Sequence, residues 1–206
     1  MPILLPSNNV SAEQSQNQSS IGFSARLRTS IAISLPAVSP TLKITPSTSG
    51  SSGTTSFDVK AYCNNKYGYN LTMYATDSNL TGTTHGGTIS TLESSVASSD
   101  DIPANHWGFN ALSSTSSHES GHFYPIATDS TPFTLLHKDT ISSNDGDSVS
   151  IDLGAKLDLD TTADTYNTTL NFAIVANTMY MNDISNVEYF RPATLNFKTL
   201  TLNSTL

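Results

Sequence analysis

The sequence predicts an all-β fold, an antiparallel β-sandwich or jelly roll of about ten strands with little helix. Three observations lead there. Apolar and polar residues alternate in one segment after another, which is the period of a strand with one buried face. No stretch sustains the 3.6-residue apolar repeat of an amphipathic helix. Clusters of Ser, Thr, Asn and Gly interrupt the alternation at turn-like spacing.

The chain divides into an N-terminal arm over 1–35, a sandwich core over 36–177 and a C-terminal extension over 178–206. In the arm, Ile3, Leu4 and Leu5 form a short apolar run followed by Pro6. Val10-Ser11-Ala12 then offers acceptable residues at the −3 and −1 positions of a signal-peptidase site. The start is a remnant of an export signal or an ordinary arm. Strands are expected at Ile21 to Leu27 and Ser30 to Leu35, with Ile21, Phe23, Ala25 and Leu27, or Ile31, Ile33 and Leu35, as apolar teeth.

Within the core, Leu42 to Thr45 is a short strand. Ser56 to Cys63 sets Phe57, Val59, Ala61 and Cys63 on one side and Asp58, Lys60 and Tyr62 on the other. The turn residues Asn64-Asn65-Lys66-Tyr67-Gly68 follow, and Tyr69 to Ala75 alternates again through Leu71 and Met73, so the two segments read as a hairpin. Shorter strands are expected at Thr88 to Leu92, Trp107 to Ala111, His122 to Ile126 and Phe133 to His137. The strongest alternation lies in Asp147 to Leu157 and Tyr166 to Ala176. The polar link Asp158 to Thr165 is short, which predicts that these two pair antiparallel. Thr194 to Leu202 supplies a final strand in the extension. Ser47 to Ser56, Thr81 to Thr88 and Ser113 to Ser120 read as loops.

Charged residues make up 13% of the 206-residue chain, against roughly 25% in ordinary soluble domains. Ser, Thr and Asn take their place, a surface that points to an extracellular protein at the cell surface. A net charge of −8 and a pI near 4.8 repel phosphate backbones and anionic membranes, which excludes nucleic acid as a partner. Cys63 is the single cysteine, so no internal disulfide and no thiolate-rich zinc site can form. No run approaches the ~18 apolar residues that a membrane span needs. The N-x-S/T sequons at Asn9, Asn17, Asn70, Asn79, Asn167 and Asn203 occur as often as so much Ser and Thr produces by chance.

Five segments in order, Asn65 to Met73 (NKYGYNLTM), Trp107-Gly108-Phe109, Phe123-Tyr124-Pro125-Ile126, Leu153 to Asp158 (LGAKLD) and Thr165 to Leu170 (TYNTTL), carry a family likeness. Together they resemble a β-sandwich module of secreted surface proteins in Saccharibacteria and related small-genome bacteria, over about Thr41 to Asn177. The chain departs from that pattern at Ala163-Asp164, where the module has Gly, and in the tail from Thr178. The resemblance implies a surface location and no chemistry.

Two motifs invite a chemical reading. His118-Glu119-Ser120-Gly121-His122 matches H-E-x-x-H, which holds zinc only when both imidazoles lie one helical turn apart. Serines before it, Gly121 within it and Pro125 after it break a helix, so a solvated loop is expected and no catalytic residue is assigned. Asn144-Asp145-Gly146-Asp147 resembles the start of a calcium loop, and Asp158, Asp160 and Asp164 cluster further on. If the two loops converge, Asp145, Asp147, Asp158 and Asp160 would supply oxygens for calcium; Asp-Gly is equally a hairpin turn. Trp107, the only tryptophan, is expected as a core anchor. Lys60, Lys156 and Lys198 are candidates for an isopeptide staple to Asn.

Strand-like segments at both ends point to a self-assembling filament or surface-layer subunit built by terminal-strand exchange between copies. The alternatives are a monomeric adhesin that binds a host-surface glycan or protein through Thr81 to Thr88 and Ser113 to Gly121, and a viral coat or fibre protein.

Overall fold

A computed structural model describes residues 28–112 and 121–178 with their side chains, and the backbone of residues 193–204. The described chain is all-β, a sandwich of β1 (Ile31–Ser34), β2 (Thr41–Ile44), β3 (Ser51–Cys63), β4 (Tyr69–Ala75), β5 (Leu80–Gly82), β6 (Thr88–Thr91), β7 (His106–Leu112), β8 (Phe133–Lys138), β9 (Asp147–Leu157), β10 (Thr165–Ala176) and β11 (Ala193–Ser204). One 3-10 turn, Ser99–Asp101, is the only helical element among the described residues. None of their helices is long and apolar enough to cross a membrane.

The first sheet runs β1, β3, β9, β7, and the second runs β8, β4, β10, β11, β2. β5 lies end to end with β4 along the same side of β10. β6 joins the layers, pairing antiparallel with β5 in one sheet and parallel with β7 in the other. Most other pairs are antiparallel, with β2 and β11 the parallel exception.

Alternation decides which face of each strand is buried. On β3, Phe57, Val59, Ala61 and Cys63 are buried, opposite Ile151 and Val149 of β9. On the facing sheet, Leu71 and Met73 of β4 and Leu170, Phe172 and Ile174 of β10 close the same core. Phe57 meets Phe172 edge to face across the layers, with ring centroids 6.4 Å apart, a favoured aromatic geometry.

Both expected hairpins are absent. β3 pairs with β1 and β9, whereas β4 pairs with β8 and β10. Likewise β9 belongs to the first sheet and β10 to the second. Each link is therefore an arch that crosses the ~10 Å between sheets instead of a turn within one sheet. At the first arch the cause is local. Asn65 is buried, and its side-chain amide donates to the carbonyls of Gly68 (3.1 Å) and Asn177 (2.6 Å). Gly68 takes φ +82°, and a Cβ there would stand 1.8 Å from the Lys138 carbonyl oxygen. That anchors the turn to the second sheet.

His122 to Ile126 does not form a strand. Phe123 and Tyr124 make single bridges to Val96 and Phe109, Tyr124 along the edge of β7, and the Phe123 ring reaches over the outer face of the first sheet at Gly154. Phe123 packs there with Leu92 and Ile102 as a small second core. Its ring occupies the space that a Cβ on Gly154 would fill, 2.6 Å away.

Candidate functional site

The feature with most functional content is the seam at the end of the second sheet. β11 runs antiparallel to β10 from Thr165↔Asn203 to Ile174↔Ala193, with a register shift at Leu170/Asn171. On its other side it runs parallel to β2, from Thr201↔Thr41 to Ser204↔Ile44. Among the described strands β2 pairs with β11 alone. Leu42 and Ile44 nevertheless sit in the main core, 6% and 3% exposed, over Gly53 of β3. One strand therefore connects β2 to the sheet that it helps to close.

Other edges lie away from the seam. Among the described strands β1, on the first sheet, pairs only with β3, and β8, at the far side of the second sheet, only with β4. An edge strand carries backbone donors and acceptors that another strand can satisfy. Ile31, Ile33 and Leu35, expected as teeth of a donor strand, are half-buried against this chain's own core, with Ile31↔Cys63 and Ile33↔Ala61 in register. Ile21, Phe23, Ala25 and Leu27 lie outside the described residues.

At one end of the sandwich a polar network ties the two sheets. The buried Tyr69 hydroxyl on β4 donates to Asp147 Oδ2 at 2.5 Å, at the first residue of β9. Lys138 Nζ donates to Asp147 Oδ1 at 2.9 Å, and the Ser143 amide adds a longer bond. Burial pushes the Asp147 carboxyl up, but the Tyr69, Lys138 and Ser143 donors outweigh it and hold it below the usual carboxylate range. Burial and the neighbouring Asp147 push the Tyr69 phenol well above its ordinary value. Asn177 fastens the same end, donating to the carbonyls of Tyr67 and Lys138, both at 2.9 Å.

At the opposite end Asp164 accepts the backbone N–H groups of His85 (2.7 Å), Thr84 (3.0 Å) and Thr165 (2.7 Å). Those bonds, with His85 first, lower its pKa to about 2. Beside this clamp His85 and residues 159–163 line a shallow cleft of about 470 Å³.

The four expected calcium ligands do not converge. Asp145 and Asp147 stand at the start of β9, and Asp158 and Asp160 just past its end, some 33–37 Å apart for an eleven-residue strand. Asp147 is engaged by Tyr69 and Lys138, and Asp158 accepts from Asn105 Nδ2 (2.9 Å) and the Asp160 amide (2.9 Å) as turn chemistry. Among the described residues no group of three or more His, Cys, Asp or Glu is placed to hold a metal ion. Of the H-E-x-x-H segment, His118 to Ser120 lie outside the described residues. Trp107 is 1% exposed in the main core, and its indole donates to the Ser78 carbonyl at 2.9 Å. Lys156 Nζ donates to the Asp100 carbonyl at 2.8 Å, not to an Asn.

Sequence reasoning found β2 and β11 as strands but missed that they meet. Alternation marks which face of a strand is buried and carries no label for its neighbour.

No family model matches the sequence, and no curated protein matches it. Solved structures do. The adhesive subunit CfaE of the CFA/I fimbria of enterotoxigenic Escherichia coli aligns over 85% of this chain and 48% of its own, with 10% identity and a TM-score of 0.52. The chain thus spans about half the length of that adhesin. The CooA pilin subunit of enterotoxigenic Escherichia coli aligns over 85% of this chain and 99% of its own, with 10% identity and a TM-score of 0.43. A family 123 glycoside hydrolase from Clostridium perfringens aligns over 84% of this chain and 27% of its own, with 12% identity and a TM-score of 0.39. At these identities the likeness concerns the fold, and the CfaE match identifies it as a β-sandwich shared with that adhesive subunit.

Proposed function

We propose that the chain is an extracellular structural protein, the subunit of a pilus-like filament or surface layer assembled by strand exchange between copies. One observation carries the reading. The second sheet is completed by a single strand that is the sole partner of β2 among the described strands, so the same sheet can be completed from within the chain or by a neighbour. The fold shared with a fimbrial adhesive subunit, the low charge and the acidic balance are consistent with it, as is the resemblance to secreted surface modules. Negative-stain microscopy of the purified chain tests the proposal. Filaments or ordered sheets are expected, and a species that sediments as a monomer at every accessible concentration would overturn it.

A second reading has an observation of its own. The cleft beside Asp164 brings His85, from the loop expected to contact a ligand, against residues 159–163. A monomeric adhesin would use such a cleft for a host-surface glycan. Binding on a glycan array that is lost in His85→Ala, with no assembly in the microscope, would select this reading over the first.

A further inference from the structure

We infer that β11 is the strand which copies of this chain exchange, and that its acceptor is the lane between β10 and β2 of a second copy. The inference rests on the assembly reading above and names the parts that would perform it.

Pairing gives the first argument. Without β11, β2 loses its only partner among the described strands, and β10 loses ten register positions along one edge. A gap one strand wide then opens over Leu170, Phe172 and Ile174, each 1% exposed or less. In the register, Leu195, Leu200 and Leu202 stand opposite Phe172, Thr168 and Tyr166, three buried positions. A strand with this alternation fits the gap from either source.

β1 offers much less. It has a single neighbour among the described strands and four register pairs, so its departure would strip one edge and leave the sheet intact. The expectation that Ile31, Ile33 and Leu35 form the exchanged strand therefore yields to β11.

Connector length gives the second argument. Ile174 and Ala193 face each other as antiparallel partners, yet eighteen residues (175–192) separate them. A hairpin needs only ~2–5. Val175 and Ala176 remain paired with β4 and Asn177 is bonded to Tyr67 and Lys138, which leaves fifteen residues (178–192). Fully extended, that many reach ~50 Å, beyond the ~43 Å of β3, the longest described strand at thirteen residues. The connector is thus long enough to deliver β11 to an adjoining copy.

Direction gives the third. Lying antiparallel to β10 and parallel to β2 fixes one polarity for the incoming strand. The donor and acceptor surfaces of a subunit are different surfaces, so the contact is head-to-tail, and it propagates unless the rotation closes a ring.

Thr41 and Thr201 are register partners on β2 and β11, and neighbouring strands lie within disulfide reach. Thr41→Cys and Thr201→Cys chains, mixed in urea, refolded together and oxidised, should yield a disulfide that joins one chain of each kind. The wild-type chain, whose Cys63 is buried, should yield none. The Thr41→Cys/Thr201→Cys double variant should form a ladder on a non-reducing gel that grows with the concentration at refolding. If the double variant closes only within single chains while filaments persist in the microscope, β11 exchange is wrong and assembly stands. If it closes within single chains and the wild-type chain sediments as a monomer at every accessible concentration, both readings fall. If no disulfide forms in any sample, the β2–β11 register itself is overturned.

Discussion

Replacing Tyr69 with Phe tests whether the tie between the sheets stabilises the sandwich as its geometry implies. The phenol is fully buried and donates at 2.5 Å to Asp147, which also holds Lys138. A hydrogen bond to a charged group contributes ~1.5–3 kcal/mol. Lys138 and the Ser143 amide continue to serve the carboxylate in the variant, which sets the expected loss near the lower end, ~1.5–2 kcal/mol. In a chain of this size that lowers Tm by roughly 3–8 °C. Trp107, buried and unique, reports unfolding by its fluorescence in urea. The pH dependence carries the sharper signature. Tyr69 is raised above its ordinary value, so its contribution is complete below the unfolded pKa near 10 and declines as pH rises toward the folded one. Asp147 is lowered, so its contribution is complete above about 4 and is lost as pH falls toward its depressed folded pKa. Tyr69→Phe should flatten both limbs, leaving on the alkaline side the shares of Tyr166 and Cys63, both raised by burial, and on the acid side that of Asp164. Unchanged stability at pH 7 together with unchanged slopes on both limbs would refute the argument.

Other outcomes follow from single sites. Asp164→Ala removes the acceptor of the His85, Thr84 and Thr165 amides, so hydrogen exchange at Thr84 and His85 should quicken. In the wild-type chain that protection should persist in acid until pH falls through about 2. Gly68→Ala combines φ +82° with a Cβ driven into the Lys138 carbonyl. It should cost more than the ~1–3 kcal/mol of backbone strain alone, seen as loss of soluble protein or a large drop in the urea midpoint.

Alternation placed β4 and β9 at the boundaries found in the structure and β10 within one residue, because burial of one face is a local property. It missed β5, since three residues with one buried Leu80 give no period to count. Neither arch was readable. Asn64 to Gly68 has hairpin chemistry, and the partners that turn it outward, Asn177 and Lys138, lie 112 and 70 positions from Asn65 and Gly68. Asp145 and Asp158 looked adjacent because both sit in acidic turns; a full strand, β9, stands between them. The seam was hidden for the same reason as the arches, since Thr201 and Thr41 pair across 160 positions of the chain.

A strand that can serve its own chain or a neighbour's makes the same contacts in both states, so connector and concentration decide between them. Fifteen residues of flexible chain would have a dimension of ~21 Å, which corresponds to an effective concentration in the millimolar range. At ~10 μM of subunit, closure within the chain is then favoured by ~100-fold, or ~2.7 kcal/mol. Filaments at micromolar concentration therefore require either junction contacts that offset this amount or subunits that meet before β11 has closed. The exchanged fraction of the Thr41→Cys and Thr201→Cys chains should accordingly rise in proportion to concentration during co-refolding. Mixing chains that are already folded should give far less, because β11 must first leave ten register positions on β10 and four on β2. No exchanged species at any concentration would show that β11 is not shared between chains.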